Sequence, residues 1–553
     1  VIELSNIAIP LGTLDGTVES EKHIVEQHVL KKYHLTKAQI ASFELRRRSI
    51  DARKKSDVHL MFTVRIALVG GKEKERAFLR RLAHHRQDRN VRTVDEVPPR
   101  FPQRHTSTLD ERPIVVGAGC AGLFCALTLA EAGLSPLLIE RGDDAERRTA
   151  RVSRFNETGL LDTESNIQFG LGGAGTFSDG KLQTGTKSPL HRLILETFVE
   201  AGAPERILWD AKPHVGSDIL PHVVTNIVHR IEEAGGEVRF RCRLDDIYLA
   251  QDGSISGIHV TQEHEGIERG EDIAAHEVVL ACGHSARDVF ELLQKKQVTL
   301  ERKTFAMGAR IEHLQSQIDK AQYGPAAGHP ALGAAPYKLV SHLPSGRSAF
   351  SFCMCPGGYV VAAASEEGGV CTNGMSLSDR AGTNANAGIL ANVFPEDLPG
   401  DDPLAGLSLQ RSCERKAFEL GGGAYQAPAQ LVGDFLKGQP SSAAGTVQPT
   451  YPRGVTWGTI EPALPPYIAE TLRAAIPQMG KHLKGFDVAD AVLTGVETRS
   501  SSPVRVVREK DGQSVSTRGL WPCGEGAGYA GGIMSAAADG ISCAEHLIRE
   551  IRE

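Results

Sequence analysis

The chain is poor in the residues that staple or metallate small folds. It carries 10 cysteines in 553 residues, and none of their spacings matches a zinc ribbon or finger. That density also excludes a disulfide scaffold. Cys125, Cys282 and Cys543 sit inside apolar runs, where small buried thiols are expected. No metal site is expected. No apolar run is long enough to span a bilayer, so no membrane partner is expected. The opening "VIELSNIAIPLGTLDGT" lacks the basic start and unbroken apolar stretch of a secretion signal. The expected location is cytoplasmic.

What remains is an ordinary globular composition, 41% hydrophobic and 24% charged, at a length that suggests two or three domains. The net charge of -6 is unevenly spread, because the first 105 residues hold an excess of about eight basic over acidic side chains. "HIVEQHVLKKYHL" and "KEKERAFLRRLAHHR" have helical spacing, and Thr36 before "KAQIASF" reads as a helix cap. "ELRRRSIDARKKSDVHLMFTVRIAL" alternates as two strands around a polar turn. A small basic α+β domain over residues 1–95, of ferredoxin-like type, fits this pattern. A basic module invites nucleic acid, but this segment has neither the aromatic-rich strand of an RRM nor a GXXG loop. Packing or assembly is therefore its expected role, and nucleic acid is not an expected partner. Residues 96–111 are polar and Pro-rich and read as a linker.

"RPIVVGAGCAGLFCALTLAEAGLSPLLIERG" then reads as strand, glycine turn, helix and a second strand ending in an acid. Gly117 permits the tight turn, Gly119 lets a pyrophosphate approach, and Gly122 lets the helix pack on the sheet. Cys120 and Ala121 open the helix, whose free N–H groups and positive dipole end face the phosphates. Glu140 stands at the distance of a ribose-binding acid. A far-end element, "LWPCGEGAGYAGGI", decides between dinucleotides, since a chain that only bound NAD would not need it. Flavoproteins of the glutathione-reductase type place such a Gly-acid pair, here Gly524 and Glu525, near the ribityl chain. The following helix, from Gly531, Gly532 and Ile533, points its N-terminus at the flavin, where reduction builds negative charge. "EVVLACGHSARD" supplies a third element, with Ala281, Cys282, Gly283, His284 and Ser285 near the cofactor. The expected cofactor is FAD.

Together "NIQFGLGGAGTFSDGKLQTGT", "ACGHSARD", "SFCMCPGGYVVAAASEEG", "TGVETRSSSPV" and "GEGAGYAGGI" resemble a largely uncharacterised family of bacterial FAD-dependent dehydrogenases. The resemblance includes "RRRSIDARKK" and so spans nearly the whole chain. More distantly, the layout is similar to BaiN-like flavoproteins and fumarate reductase. It implies an α/β fold: a Rossmann-type FAD domain (112–300 and 491–553), an inserted mixed α+β substrate domain (301–490) and the N-terminal domain. One departure is "GAGCAG", where proline is expected at or next to Cys120.

The resemblance lays the loop Gly170–Leu182 along the isoalloxazine, with Gly172, Gly173, Ala174, Thr176, Phe177 and Ser178 as cofactor residues. Lys181 either brings charge to flavin or substrate or is a solvated lysine. Leu244 is counted among the cofactor residues. Of Arg141, Arg147 and Arg148, one is expected on the adenosine side, with Arg141 and Arg148 taken as candidates. Cys353 and Cys355 share a strand face by alternation, but a C-x-C pair is strained as a disulfide, and close packing is expected. Arg499 in "TRSSSP" is a candidate anion or substrate clamp, against a capped turn before Pro503. Tyr529 is a candidate shield for one ring face. Arg310 and Glu312 are expected to form an ion pair closing the domain junction, with His313 turned away. His284 is expected to be structural. The expected function is an FAD-dependent oxidoreductase moving hydride between flavin N5 and an unidentified small molecule, with NADPH or NADH, if used, docking transiently in the substrate cleft. Two alternatives stand beside it: a flavin monooxygenase using NAD(P)H and oxygen, and a tRNA-associated flavoprotein using the basic N-terminal domain. The oligomeric state is not written in the sequence.

Overall fold

In a computed structural model, residues 1–85, 89–95, 99–104 and 111–552 are described. The expected linker, 96–111, falls largely outside the described residues. The N-terminal unit runs β1 (Ile2–Pro10), α1 (Val18–Tyr33), β2 (Ile40–Asp51), β3 (His59–Leu68), α2 (Gly71–His85) and β4 (Val91–Thr93). Its sheet order is β2-β3-β1-β4 with every neighbour antiparallel, an arrangement of the ferredoxin-like kind. Strict alternation of buried and half-buried residues along β3 gives this sheet one dry face. Thr17 caps α1 by accepting from the Ser20 N–H at 3.3 Å.

The nucleotide unit is built on a parallel sheet ordered β23-β11-β5-β6-β7. Its strands are β5 (Ile114–Val116), β6 (Leu137–Ile139), β7 (Glu237–Arg239), β11 (Val278–Leu280) and β23 (Leu520–Pro522). All are short and wholly apolar except β7, as a sheet covered on both faces requires. The chain leaves β5 toward β6 on one side and β11 lies on the other, so β5 marks the switch point where α/β sheets bind ligands. Helix α3 (Cys120–Glu131) is buried along ten consecutive residues, packed between the sheet and α12 (Ile533–Arg552). Between β6 and β7 come α4 (Ala145–Thr158), α5 (Leu190–Glu200) and α6 (Leu220–Glu233). An antiparallel meander, β8 (Cys242–Leu249), β9 (Ile255–His264) and β10 (Ile267–Ala274), covers the other face, and α7 (Arg287–Lys295) follows β11.

The second large sheet has seven strands, ordered β14-β15-β18-β13-β21-β19-β20. These are β13 (Phe305–Leu314), β14 (Val340–His342), β15 (Ser348–Cys355), β18 (Asn384–Val393), β19 (Ala427–Leu431), β20 (Val455–Trp457) and β21 (Val492–Glu497). Two small ribbons flank it, β16 (Gly358–Ala362) with β17 (Thr372–Ser376), and β12 (Leu300–Arg302) with β22 (Val504–Val506). The helices here are α8 (Gln315–Tyr323), α9 (Ala405–Leu420), α10 (Val432–Lys437) and α11 (Pro466–His482). The expected boundary at residue 490 moves: β21 pairs with β13 and β19, so this sheet claims the chain as far as Glu497. Return to the parallel sheet comes only with β23.

The N-terminal unit is docked through backbone. The Arg48 N–H donates to Trp209 O at 2.6 Å, and the Ala211 N–H donates to Arg48 O at 2.8 Å, so the edge of β2 pairs with residues 209–211. The Arg48 guanidinium binds Glu21 through Nε and Nη2 at 2.6 and 2.7 Å and donates to Ala331 O at 2.6 Å. Both side chains are nearly buried. Removing one partner of such a pair strands the other charge, at about 3 kcal/mol. Arg48→Ala is therefore expected to destabilise the N-terminal unit by about 3 kcal/mol, read as an earlier urea transition; a midpoint equal to wild type would contradict this.

Candidate cofactor site

Three glycine-bearing turns meet at the C-terminal edge of the parallel sheet. After β5, Gly117 turns at φ +101°, and a side chain there would strike Ala281 O at 2.6 Å. At Gly122 a Cβ would lie 1.8 Å from Gly117 O, so this glycine is what lets α3 start against the turn. The third turn is locked to the first: a Cβ at Gly524 would meet the Ala121 Cβ at 2.7 Å, and one at Gly526 would meet Gly283 O at 2.6 Å. Gly524 N–H donates to Asp539 on α12 at 2.7 Å.

The loop after α4 closes over these turns. Gly172 N–H donates to Ala118 O at 2.8 Å, Gly119 and Gly172 form a parallel bridge, and a Cβ on Gly173 would reach Gly119 Cα at 3.1 Å. A Cβ on Gly175 would come within 3.2 Å of Ile533 and 3.9 Å of the Cys120 sulfur. The loop therefore spans the N-termini of both α3 and α12, with Ala174 at its crest. Thr176 donates to Leu171 O at 3.1 Å and Ser178 to Gly175 O at 2.6 Å, which folds the loop on itself.

Other glycines at this edge serve no internal packing. A Cβ built on Gly283, Gly531 or Gly532 meets nothing within 4 Å, and one on Gly119 meets only Gly173 Cα, at 3.9 Å. Helix α3 has no side-chain N-cap, which leaves its first N–H groups facing the same space. His284 Nδ1 is buried there without a hydrogen-bond partner. An open cradle of backbone, an uncapped helix N-terminus and an orphaned polar atom fit a bound dinucleotide.

Glu140 ends β6 beneath the turn. Its carboxylate accepts from the N–H groups of Ala118, Gly142 and Gly170 at 2.8, 2.9 and 2.9 Å. Glu525 accepts from the Gly532 N–H at 3.4 Å and lies 3.8 Å from His284 Nε2. Burial raises the Glu525 carboxyl to about 7, against the pull of the Gly532 N–H and Lys303. Burial also pushes His284 down to about 3, helped by Arg499, Arg287 and Lys303. Cys120 and Cys282 are pushed up to about 12, mainly by burial, and are inert thiols. Ser285 donates to Gln168 at 3.1 Å, tying the second turn to the loop before Gly170.

Several expected contacts go elsewhere. Arg148 is fully buried and donates to the carbonyls of Asn166, Ile167 and Leu171 at 2.9, 2.9 and 2.7 Å, with Phe177 against its guanidinium. It braces the glycine loop from inside, with its guanidinium donors spent on these carbonyls. Arg141 is held by Glu164 and Asp288 and stacks on Phe169. Leu244 lies in the apolar core between meander and sheet. Arg499 is no anion clamp: Nε and Nη2 bind Glu414 at 2.9 and 2.8 Å, and Nη1 binds Ser365. Arg287 binds the same carboxylate at 2.8 and 3.0 Å. Burial would raise Glu414, but the two guanidiniums outweigh it and hold it well below the usual carboxylate range. Arg287 stands in the quoted "ACGHSARD", but nothing local marks Glu414, on distant α9, as its partner. Tyr529 stacks under Arg508, 4.0 Å from the ring centroid, and its hydroxyl accepts the Arg508 N–H at 3.1 Å. That ties the ring to the segment just after β22.

In the second sheet, Arg310 pairs with Glu497 on neighbouring β21, Nη2 to Oε1 at 3.0 Å, while Glu312 accepts from Thr450 and Asn384. The expected Arg310–Glu312 junction pair is thus two separate buried contacts inside one sheet. Cys353 and Cys355 do not share a face. A bulge between Phe352 and Cys355 puts Cys353 at φ +38° and exposed, with Cys355 buried. Arg310 holds Cys353 O at 2.9 Å, and Lys181 reaches across from the glycine loop to bind Met354 O.

Gly119→Ala is expected to fold normally, because its φ of -73° suits alanine and its nearest neighbour is 3.9 Å away. The added methyl lies where a pyrophosphate approaches, so the FAD dissociation constant is expected to rise at least about tenfold, about 1.4 kcal/mol; an unchanged constant would contradict the placement. For Glu525, the folded value of about 7 lies above the ordinary 4.5. The cofactor-free protein is therefore expected to lose stability relative to Glu525→Gln as pH rises from about 4.5 to about 7, and to hold a constant difference above that. Parallel melting curves across that range check the sign.

Comparison with known proteins agrees with this geometry. Residues 112–153 match an FAD binding domain, residues 304–500 match the C-terminal domain-like region of FAD-dependent proteins, and residues 2–67 match a domain of unknown function. A Clostridium beijerinckii protein described only as uncharacterized is 43% identical over 545 residues, covering 98% of this chain and 99% of its own. Among solved structures, the Bacillus halodurans glycerol-3-phosphate dehydrogenase complexed with FAD is 13% identical at a TM-score of 0.34, over 80% of this chain. The chain spans 65% of that enzyme's length, just under two thirds. A geranylgeranyl bacteriochlorophyll reductase-like protein from Thermoplasma acidophilum is 13% identical at a TM-score of 0.35, covering 80% of this chain and 79% of its own. Likenesses this loose carry no inference about substrate. No helix among the described residues is long and apolar enough to cross a membrane. With the near full-length relative and the two FAD-linked matches, the chain belongs to the family of FAD-dependent proteins and is an FAD-dependent oxidoreductase.

Proposed function

We propose that the protein transfers a hydride between flavin N5 and a small-molecule substrate held between the glycine loop and the seven-stranded sheet. The observation that carries this reading is the loop Gly172–Lys181, which lies over the N-termini of α3 and α12 and then reaches the β15 bulge through Lys181 and Met354 O. Gly119, Cys120, Ala121 and Gly122 would hold the pyrophosphate, and Gly524, Glu525, Gly531, Gly532 and Ile533 the ribityl and ring end. Bound there, FAD supplies two-electron hydride chemistry. The chain's own part is positioning. The N-terminus of α12 favours negative charge beside it, and the loop and bulge wall the substrate from water.

The N-terminal unit, in this reading, is a brace and not an RNA arm. Its β2 edge is already paired with residues 209–211, and Arg46, Arg48 and Arg53 already face Glu44, Glu21 and Asp51. Ten free cysteines support a reducing, cytoplasmic setting.

Anaerobic reductive titration of the holoenzyme tests the proposal, with NADPH and NADH tried in parallel as donors. The expected result is loss of the visible flavin band in a single two-electron step. Bleaching by one-electron donors but by neither nicotinamide would contradict a hydride-fed flavin, and oxygen incorporated into a product would favour the monooxygenase alternative.

A further inference from the structure

A ladder of backbone hydrogen bonds runs from the N-terminal unit to the glycine loop. Arg48 pairs with residues 209–211, Leu182 N–H donates to Pro213 O at 2.9 Å, Val215 N–H donates to Gly180 O at 3.1 Å, and Lys181 forms an antiparallel bridge with His214. Lys212 stands between the two pairings. The same region receives Arg380, whose Nε lies 3.0 Å from Asp179 and whose Nη2 binds the second oxygen.

The charges here do not balance. Asp179 is buried, grips Arg380 and lies 3.9 Å from Lys181. Among the described residues no carboxylate lies within 4.0 Å of Lys212, and Lys181 has only the shared Asp179. Nearby Asp218 accepts from the N–H and hydroxyl of Ser378, at 2.8 and 2.6 Å, and keeps its negative charge. His214 adds no counter-charge, since its Nε2 donates to Ser378 O at 3.0 Å. Lys212 has an exposed side chain; partial desolvation where it lies against the protein lowers its ammonium, and Arg380 and Lys181 lower it further. Three cations thus outnumber the two nearby carboxylates, Asp179 and Asp218, at a backbone that two domains hold in place. A cluster that repels itself in this way is stabilised by an anion.

We propose that Lys181, Lys212 and Arg380 form the binding site for an anionic group of the substrate, so that the enzyme acts on a compound bearing a carboxylate or phosphate. The site lies next to the β15 bulge at Cys353–Met354, which Lys181 touches through Met354 O. The inference rests on the reading that this cleft is where substrate meets flavin. The sequence signalled Lys181 alone. Lys212 in "WDAKPH" and Arg380 in "LSDRAG" have no motif around them, and they come together only through the ladder.

Holoenzyme at constant ionic strength is titrated with benzoate, its neutral isostere benzamide, succinate and inorganic phosphate, following the flavin spectrum and the melting temperature. The anions are expected to perturb one or both readouts, with benzoate binding at least about tenfold more tightly than benzamide. Lys212→Gln is expected to weaken benzoate at least about tenfold while leaving benzamide and FAD content unchanged, and Lys212→Arg to restore it. Among the described residues Lys212 has no ion-pair or hydrogen-bond partner to lose, so this variant is expected to fold. Equal binding of benzoate and benzamide, no response to any anion, or an unchanged Lys212→Gln would overturn the proposal. Those results leave the reductive titration untouched, whereas bleaching there by one-electron donors alone would remove the hydride reading with the anion data intact.

Discussion

The carboxylate of Glu140 accepts three backbone N–H groups, from the glycine turn after β5, from Gly142 and from Gly170. Those three strands of chain are far apart in sequence, and each presents a donor that would be costly to bury unpaired. One buried acid satisfies all of them and so fixes the distance between the pyrophosphate turn and the loop that lies over it. Arg148 does the complementary work from the other side, filling the loop's carbonyls with guanidinium donors. The loop has many glycines, and its apolar side chains Leu171, Phe177 and Leu182 are buried in the neighbouring cores. Its shape is imposed by this acid and this base.

A second polar knot joins the nucleotide unit to the seven-stranded sheet. Arg287 at the start of α7, Glu414 on α9 and Arg499 after β21 form a buried arginine–glutamate–arginine cluster, with Glu366 and Arg411 extending it outward. Such a cluster adds little net stability over an apolar one, but removing a single member leaves an uncompensated charge, at about 3–5 kcal/mol. Its effect is to hold one relative placement of the two sheets, and therefore one width of the cleft between them. The raised carboxyl of Glu525 and the depressed imidazole of His284 lie between this knot and the glycine cradle.

The glycine turns were legible because their chemistry is local. Gly117 and Gly122 are required by contacts within one strand–turn–helix unit, and the far element at Gly524–Ile533 repeats the logic. The two N-terminal strands were equally plain from alternation. What failed were the assignments of charged side chains. The sequence reads Arg499 as an anion clamp, Arg148 as a cofactor contact and Arg310 as the partner of Glu312, yet each is spent on a partner that only tertiary structure supplies. Cys353 and Cys355 were misplaced for a different reason: a bulge breaks the two-residue period on which the argument depended. Lys212 carried no signal because its neighbours come from two other segments.

The central claim is that the edge of the parallel sheet is shaped for a dinucleotide, with the flavin end under α12 and the pyrophosphate under α3. Its most direct measurement is reconstitution of the cofactor-free protein with FAD and with FMN, followed by flavin fluorescence and stoichiometry. The account predicts one FAD per chain and FMN bound at least about a hundredfold more weakly, since FMN lacks the pyrophosphate and adenosine that the glycine turn holds. Equal affinity for the two, or no flavin retained at all, would contradict it.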